Sequence, residues 1–195
     1  MDAVILGVLW LVCSVPVVTI GAASAAFYYA YNKCVRQDRG YAWQTFFSGF
    51  RSNFKQATGI WLLLLGMLLF TAADYVILNG CVDVFPLARV LMGFMIAAFL
   101  CLILWGLYVF AYIARFEMET KTARKMAIRL LLENPGWSVV LLLLFAALVA
   151  GVFLVSFVGI LAPAVYMAVA NRILERVFRK YMTQQDLEKE LSYTE

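Results

Sequence analysis

The chain has 195 residues, 65% of them hydrophobic and only 14% charged, with a formal net charge of +4 and no histidine. Soluble domains carry roughly 45–50% apolar and about 25% charged residues, so this chain lacks the polar groups to cover a soluble core and needs lipid around it. The missing histidine removes the commonest general base and the commonest metal ligand, and the basic residues lie beside apolar runs, where retention at a membrane face explains them without nucleic acid.

The first apolar run, Ala3–Tyr31, has no positive charge before it and is too long for the core of a cleaved leader, so it reads as a retained first span. Pro16 removes a helix hydrogen bond inside it and Gly21 loosens the next turn. Two readings stand: a packing kink in which Thr19 re-satisfies the freed backbone, or a helix break lining a solute pathway. Gly21-Ala22-Ala23-Ser24-Ala25-Ala26 offers small residues at four-residue spacing, which lets helices approach closely.

Lys33, Arg36, Arg39, Arg51 and Lys55 form the first of three basic clusters. Within it Trp43, Phe46, Phe47, Phe50 and Phe54 recur at helical spacing and Asn53 closes the pattern. That is a short basic amphipathic helix, suited to a membrane interface or a partner surface. A second span is expected over Ala57–Leu78 and a third over Leu87–Ala114, each near the ~20 apolar residues a crossing needs. Asp74 and Arg89 face each other as an expected ion pair at the outer ends of these two spans. The outer connection, Asn79–Pro86, is too short for a domain.

The second cluster, Arg115, Lys121, Arg124, Lys125 and Arg129, brackets another amphipathic pattern of Ala123, Met126, Ala127, Leu130 and Leu131, stopped by Asn134-Pro135-Gly136. A fourth span follows over Trp137–Phe157, then a tight turn near Phe157–Gly159, then a fifth span over Val158–Asn171 with Pro163 near its start. Pro163 invites the same two readings as Pro16. Arg172, Arg176, Arg179, Lys180 and Lys189 make the third cluster, in a tail over 172–195. Asn32 and Asn171, each beside a basic residue, are placed to hydrogen-bond across the bundle or to cap helix ends.

Only Arg89, of sixteen Lys and Arg, lies outside the clusters. Alternating basic loops set orientation: all three clusters are cytoplasmic, the N-terminus outside, the C-terminus inside. The fold expected is all-α, a single polytopic membrane domain of five transmembrane helices with two cytoplasmic amphipathic helices. Span, amphipathic helix and span recur at 3–78 and 87–157 as a weak parallel repeat. Cys13, Cys34, Cys81 and Cys101 show no C-x-x-C spacing, so neither a zinc site nor a disulfide is expected.

The run from Leu9 to Ala30 resembles the first span of the YesL-like family of bacterial integral membrane proteins, a domain of unknown function numbered 624. Trp43–Ala57 resembles that family's aromatic cytoplasmic helix, and a looser resemblance extends through Asn134-Pro135 to the last span. The resemblance implies a bacterial cytoplasmic-membrane protein linked to carbohydrate uptake by ABC sugar importers, and supplies no catalytic residues. The expected function is a non-enzymatic accessory protein without cofactor or metal, contacting the bilayer, a sugar importer's permease or a second copy of itself. The rival is a small-solute transporter or channel.

Overall fold

The computed structural model describes residues 2–80, 87–116, 120–154 and 158–181. Every regular element among them is helical. In chain order they are α1 (Asp2–Ser14), a 3-10 turn (Val17–Thr19), α2 (Ile20–Ala30), a π-helical turn (Tyr31–Arg36), α3 (Ala42–Gly80), α4 (Leu87–Phe116), α5 (Thr120–Glu133), α6 (Pro135–Leu154) and α7 (Val158–Arg179). The expected outer connection with Cys81 and Asp83, the turn near Phe157, and the tail past Tyr181 fall outside the described residues.

The first apolar run is not one crossing. Trp10 of α1 donates its indole N–H to the Ser24 hydroxyl of α2 at 3.1 Å and its ring packs near Phe27. Asp2 shares a shallow surface depression with Tyr41–Gln44, and α1 also packs on the π turn. Helix α1 therefore runs up and α2 runs back beside it, a helical hairpin with its tip at 15–19. Apolar length cannot distinguish one long crossing from two short limbs, and Pro16 turns the chain fully instead of kinking it. The correction moves the N-terminus to the end of the bundle that holds the first basic cluster. The first expected span, Ala3–Tyr31, is thus replaced by two antiparallel limbs.

The tip satisfies its own backbone. The Thr19 hydroxyl lies 2.6 Å from the Cys13 carbonyl oxygen and 2.7 Å from that of Pro16. The Trp61 indole N–H donates to the Val17 carbonyl at 2.6 Å. Val15, Val17 and Val18 stay exposed, an apolar tip suited to lipid.

Helix α3 is one helix of 39 residues, so the expected amphipathic helix and second span are continuous. Lys55, Gln56 and Ala57 are good helix formers, and the Asn53 amide donates back to the Gly49 carbonyl at 3.2 Å without interrupting the backbone. The second copy differs. Between α5 and α6 the axis bends by 100° at Asn134, because Pro135 disfavours helical geometry at the residue before it and starts the next helix well. Among the described residues, two helices, α3 and α4, are each long and apolar enough to cross a membrane, or up to three spans if the bent α5–α6 pair counts as one.

The core sits where α2 meets the first half of α3 and the last third of α4, with α7 closing one side. Gly21 permits the closest approach: a Cβ there would come 2.5 Å from the Trp61 Cβ and 2.7 Å from the Ala57 carbonyl oxygen. Tyr108, Phe46, Phe178 and Leu6 are among the side chains sealed inside. Beyond this core the distal halves of α3 and α4 leave most of their apolar side chains exposed.

Candidate functional site

The polar centre of the bundle is Glu175 of α7, 3% exposed. Tyr28 donates its hydroxyl to Glu175 Oε1 at 2.8 Å and the Asn32 amide donates to the same oxygen at 3.2 Å. Arg36 Nη1 lies 2.6 Å from Oε2, and Arg115 Nε lies 3.2 Å from Oε1. Arg36 also donates to the Asn32 Oδ1 at 3.2 Å, so Asn32 bridges a cation and the carboxylate. Four residues from three separate elements thus converge on one acid, as a carboxylate taken from water requires.

The π-helical turn explains how one strand of sequence supplies three of them. Tyr28, Asn32 and Arg36 are four apart, and in an α-helix each such step drifts about 40° around the axis. The wider π turn over Tyr31–Arg36 takes out that drift and keeps all three toward α7. Single π turns are frequent at functional sites. Asp38 and Gly40, with φ of 52° and 77°, then reverse the chain into α3.

A cavity of about 370 Å³ opens beside this cluster, lined by Tyr31, Arg36, Asn171, Arg172, Glu175 and Arg176 among others. A second cavity, of about 360 Å³, lies inside the bundle against Trp10, Phe27, Trp61, Phe110, Pro163 and Tyr166. Tyr28 links the two: it lines the apolar cavity, and its hydroxyl holds Glu175, which lines the polar one.

The residues singled out by sequence distribute as follows. Pro16 and Thr19 form the hairpin tip, Gly21 is the α2–α3 contact, and Pro163 lines the apolar cavity. In the aromatic helix Phe46 is fully buried and Asn53 is buried, while Phe47 and Phe50 are half-buried and Trp43 and Phe54 exposed. Trp43 meets Phe47 edge-on at 5.0 Å and Phe50 meets Phe54 at 5.4 Å. That face is therefore partly internal structure. Asp74 and Arg89 form no ion pair: Asp74 is half-buried on α3 and Arg89 is exposed on α4. Asn32 reaches across the bundle to Glu175, whereas the Asn171 amide, 1% exposed, has no hydrogen-bond partner.

Glu175 itself escapes sequence reasoning because a lone acid among Arg172, Arg176 and Arg179 looks like part of a solvated face. The available signal is its position: Asn171, Leu174, Glu175 and Phe178 fall on one helical stripe continuous with the apolar span.

At the α5–α6 bend Arg129 Nε donates to Glu133 Oε1 at 2.7 Å, and this hydrogen bond holds the Glu133 carboxyl below its usual range. The Asn134 amide donates to the Tyr181 hydroxyl at 3.0 Å, tying the bend to the end of α7. Cys13, Cys34 and Cys101 are free thiols. Among the described residues no group of three or more His, Cys, Asp or Glu is placed to hold a metal ion.

Neither the curated proteins nor the solved structures contain a match to this chain. Residues 3–75 match the model of the family described as "Protein of unknown function, DUF624". This match spans α1, the hairpin tip, α2, the π turn and most of α3, and does not extend to the looser resemblance around Asn134-Pro135. Over this stretch the chain is similar to the DUF624 family, the one its first apolar run and aromatic helix resemble.

Proposed function

We propose that the protein is a non-enzymatic accessory protein of the bacterial cytoplasmic membrane, acting by binding another membrane protein through the outward face of α3. The carrying observation is a stripe of small residues, Gly59, Gly66, Ala73 and Gly80, seven apart on one helix. All four are exposed, and a Cβ added at any of the three glycines would meet nothing within 4 Å. Lipid does not require glycine, which weakens an α-helix by about 1 kcal/mol relative to alanine. A second helix approaching closely does require small residues. A seven-residue repeat keeps them aligned along a left-handed crossing.

The family resemblance supports a carbohydrate importer's permease as the partner. The charge pattern supports a topology with all three basic clusters on the cytoplasmic side. Because α1 and α2 form a hairpin, the N-terminus joins them there, and α3 and α4 are the full crossings. The solute-pathway reading has less support. Thr19 and Trp61 occupy the carbonyls that the Pro16 break would otherwise present, and the adjoining cavity is walled by aromatic and aliphatic side chains.

The test is crosslinking in cells followed by purification in mild detergent, with wild type beside Gly66→Leu/Ala73→Leu. A permease recovered stoichiometrically with wild type and lost from the variant is the expected result. Recovery of the chain alone, or only as a homo-oligomer, overturns the proposal.

A further inference from the structure

We infer that the cavity beside Glu175 is a binding site for a phosphate monoester, an inference independent of the accessory reading. Its lining holds four arginines and one carboxylate. That carboxylate is already engaged by Arg36 and Arg115 and by the Tyr28 and Asn32 donors, so it does not neutralise Arg172 or Arg176. The Arg176 guanidinium carbon lies over the Trp137 ring, 5.8 Å from its centroid. A cation–π contact consumes no N–H donor and leaves those groups for an oxyanion.

The second observation is Asn171. It is buried, it lines the same cavity, and its amide nitrogen donates to nothing. A buried donor without an acceptor is destabilising, and natural structures keep few of them. An acceptor-rich ligand beside Arg172 and Arg176 removes that deficit. A phosphate monoester carries about −1.5 to −2 charges and three strong acceptor oxygens, which suits two guanidinium forks and one amide better than a single carboxylate does. A cavity of about 370 Å³ has room for the phosphate and a small polar group attached to it. The ester comes either from a soluble organophosphate or from a lipid headgroup.

The full-length protein in phosphatidylcholine nanodiscs separates the two sources. Glycerol 3-phosphate is the soluble probe, followed by equilibrium dialysis of the labelled compound. Phosphatidic acid added to the discs is the lipid probe, with bound copies counted by native mass spectrometry. Saturable one-to-one binding of either probe is expected, weakened at least about tenfold in Arg172→Gln/Arg176→Gln. Binding persists in Arg51→Gln/Lys55→Gln, which removes the same charge elsewhere. Binding of glycerol 3-phosphate identifies a soluble ligand, and binding of phosphatidic acid alone identifies a headgroup. Arg172 and Arg176 are exposed, and Arg172→Gln alone serves if the double variant does not fold. The inference falls if neither probe binds, if the cavity variants bind as wild type does, or if the control variant loses as much.

Discussion

The two halves of α3 use glycine in opposite ways. In the first half Gly49 lies against the Tyr29 ring, where a Cβ would come within 2.8 Å, and Gly21 of α2 closes onto Ala57 and Trp61. Past Leu68 most of the helix lies outside the buried core, and on its outward face Gly66 and Gly80 meet open space. The same residue type is needed for internal packing at one end and has nothing internal to pack at the other. A glycine pattern therefore becomes informative only once its facing atoms are known. Where no atoms of the chain face it, internal packing does not explain the glycine.

The contrast predicts a gradient of effects. The largest is at the packed end. Glu175→Leu leaves Arg36 and Arg115 without their carboxylate, and loss of a buried ion-pair partner costs about 3–5 kcal/mol. Unfolding in detergent micelles should report this as a large fall in midpoint. Next is Gly21→Leu, which drives atoms into the Ala57 carbonyl and Trp61 and should cost about 1–3 kcal/mol or more. Gly66→Leu should stay within about 0.5 kcal/mol of wild type in the same assay, while abolishing partner recovery. An equal loss of stability at Gly66 and Gly21 would erase the distinction between the two halves. The smallest effect is at the surface of the α5–α6 bend. The Glu133 carboxyl is held below its usual range, so its stabilising contribution is present above the unfolded-state value and is lost as pH falls through the folded one. Acid titration of wild type against Glu133→Gln should show a slight extra loss at low pH in wild type only.

The helical class, the apolar segments and the three basic clusters were legible in sequence because each depends on local composition. The direction of the chain was not. Ala3–Tyr31 has enough apolar length for one crossing or for two shorter limbs, and tertiary contacts such as Trp10–Ser24, fourteen residues apart, distinguish them. Asn53 and Asn134 looked equivalent as helix ends, and both amides do donate to the carbonyl four residues back. The proline after Asn134 decides the outcome, since α3 continues through Asn53 and the other helix turns. Of the site, Asn32 and Asn171 were visible as polar residues at span ends. Glu175 was hidden by its arginine neighbours, because burial of a charge depends on tertiary partners 143 and 147 residues away in sequence.

The unbroken course of α3 has a mechanical consequence. At about 1.5 Å per residue its 39 residues extend about 58 Å, nearly twice the ~30 Å hydrocarbon thickness of a bilayer. It contains no proline at which to flex. One end is gripped by α2 through Gly21 and Gly49, and the other stands clear of the rest of the chain except α4. Such a rod has no joint between its grip and its free arm. A sideways force on the arm at Gly66 is delivered as torque to the α2 contact, one helix away from Tyr28 and the carboxylate it holds.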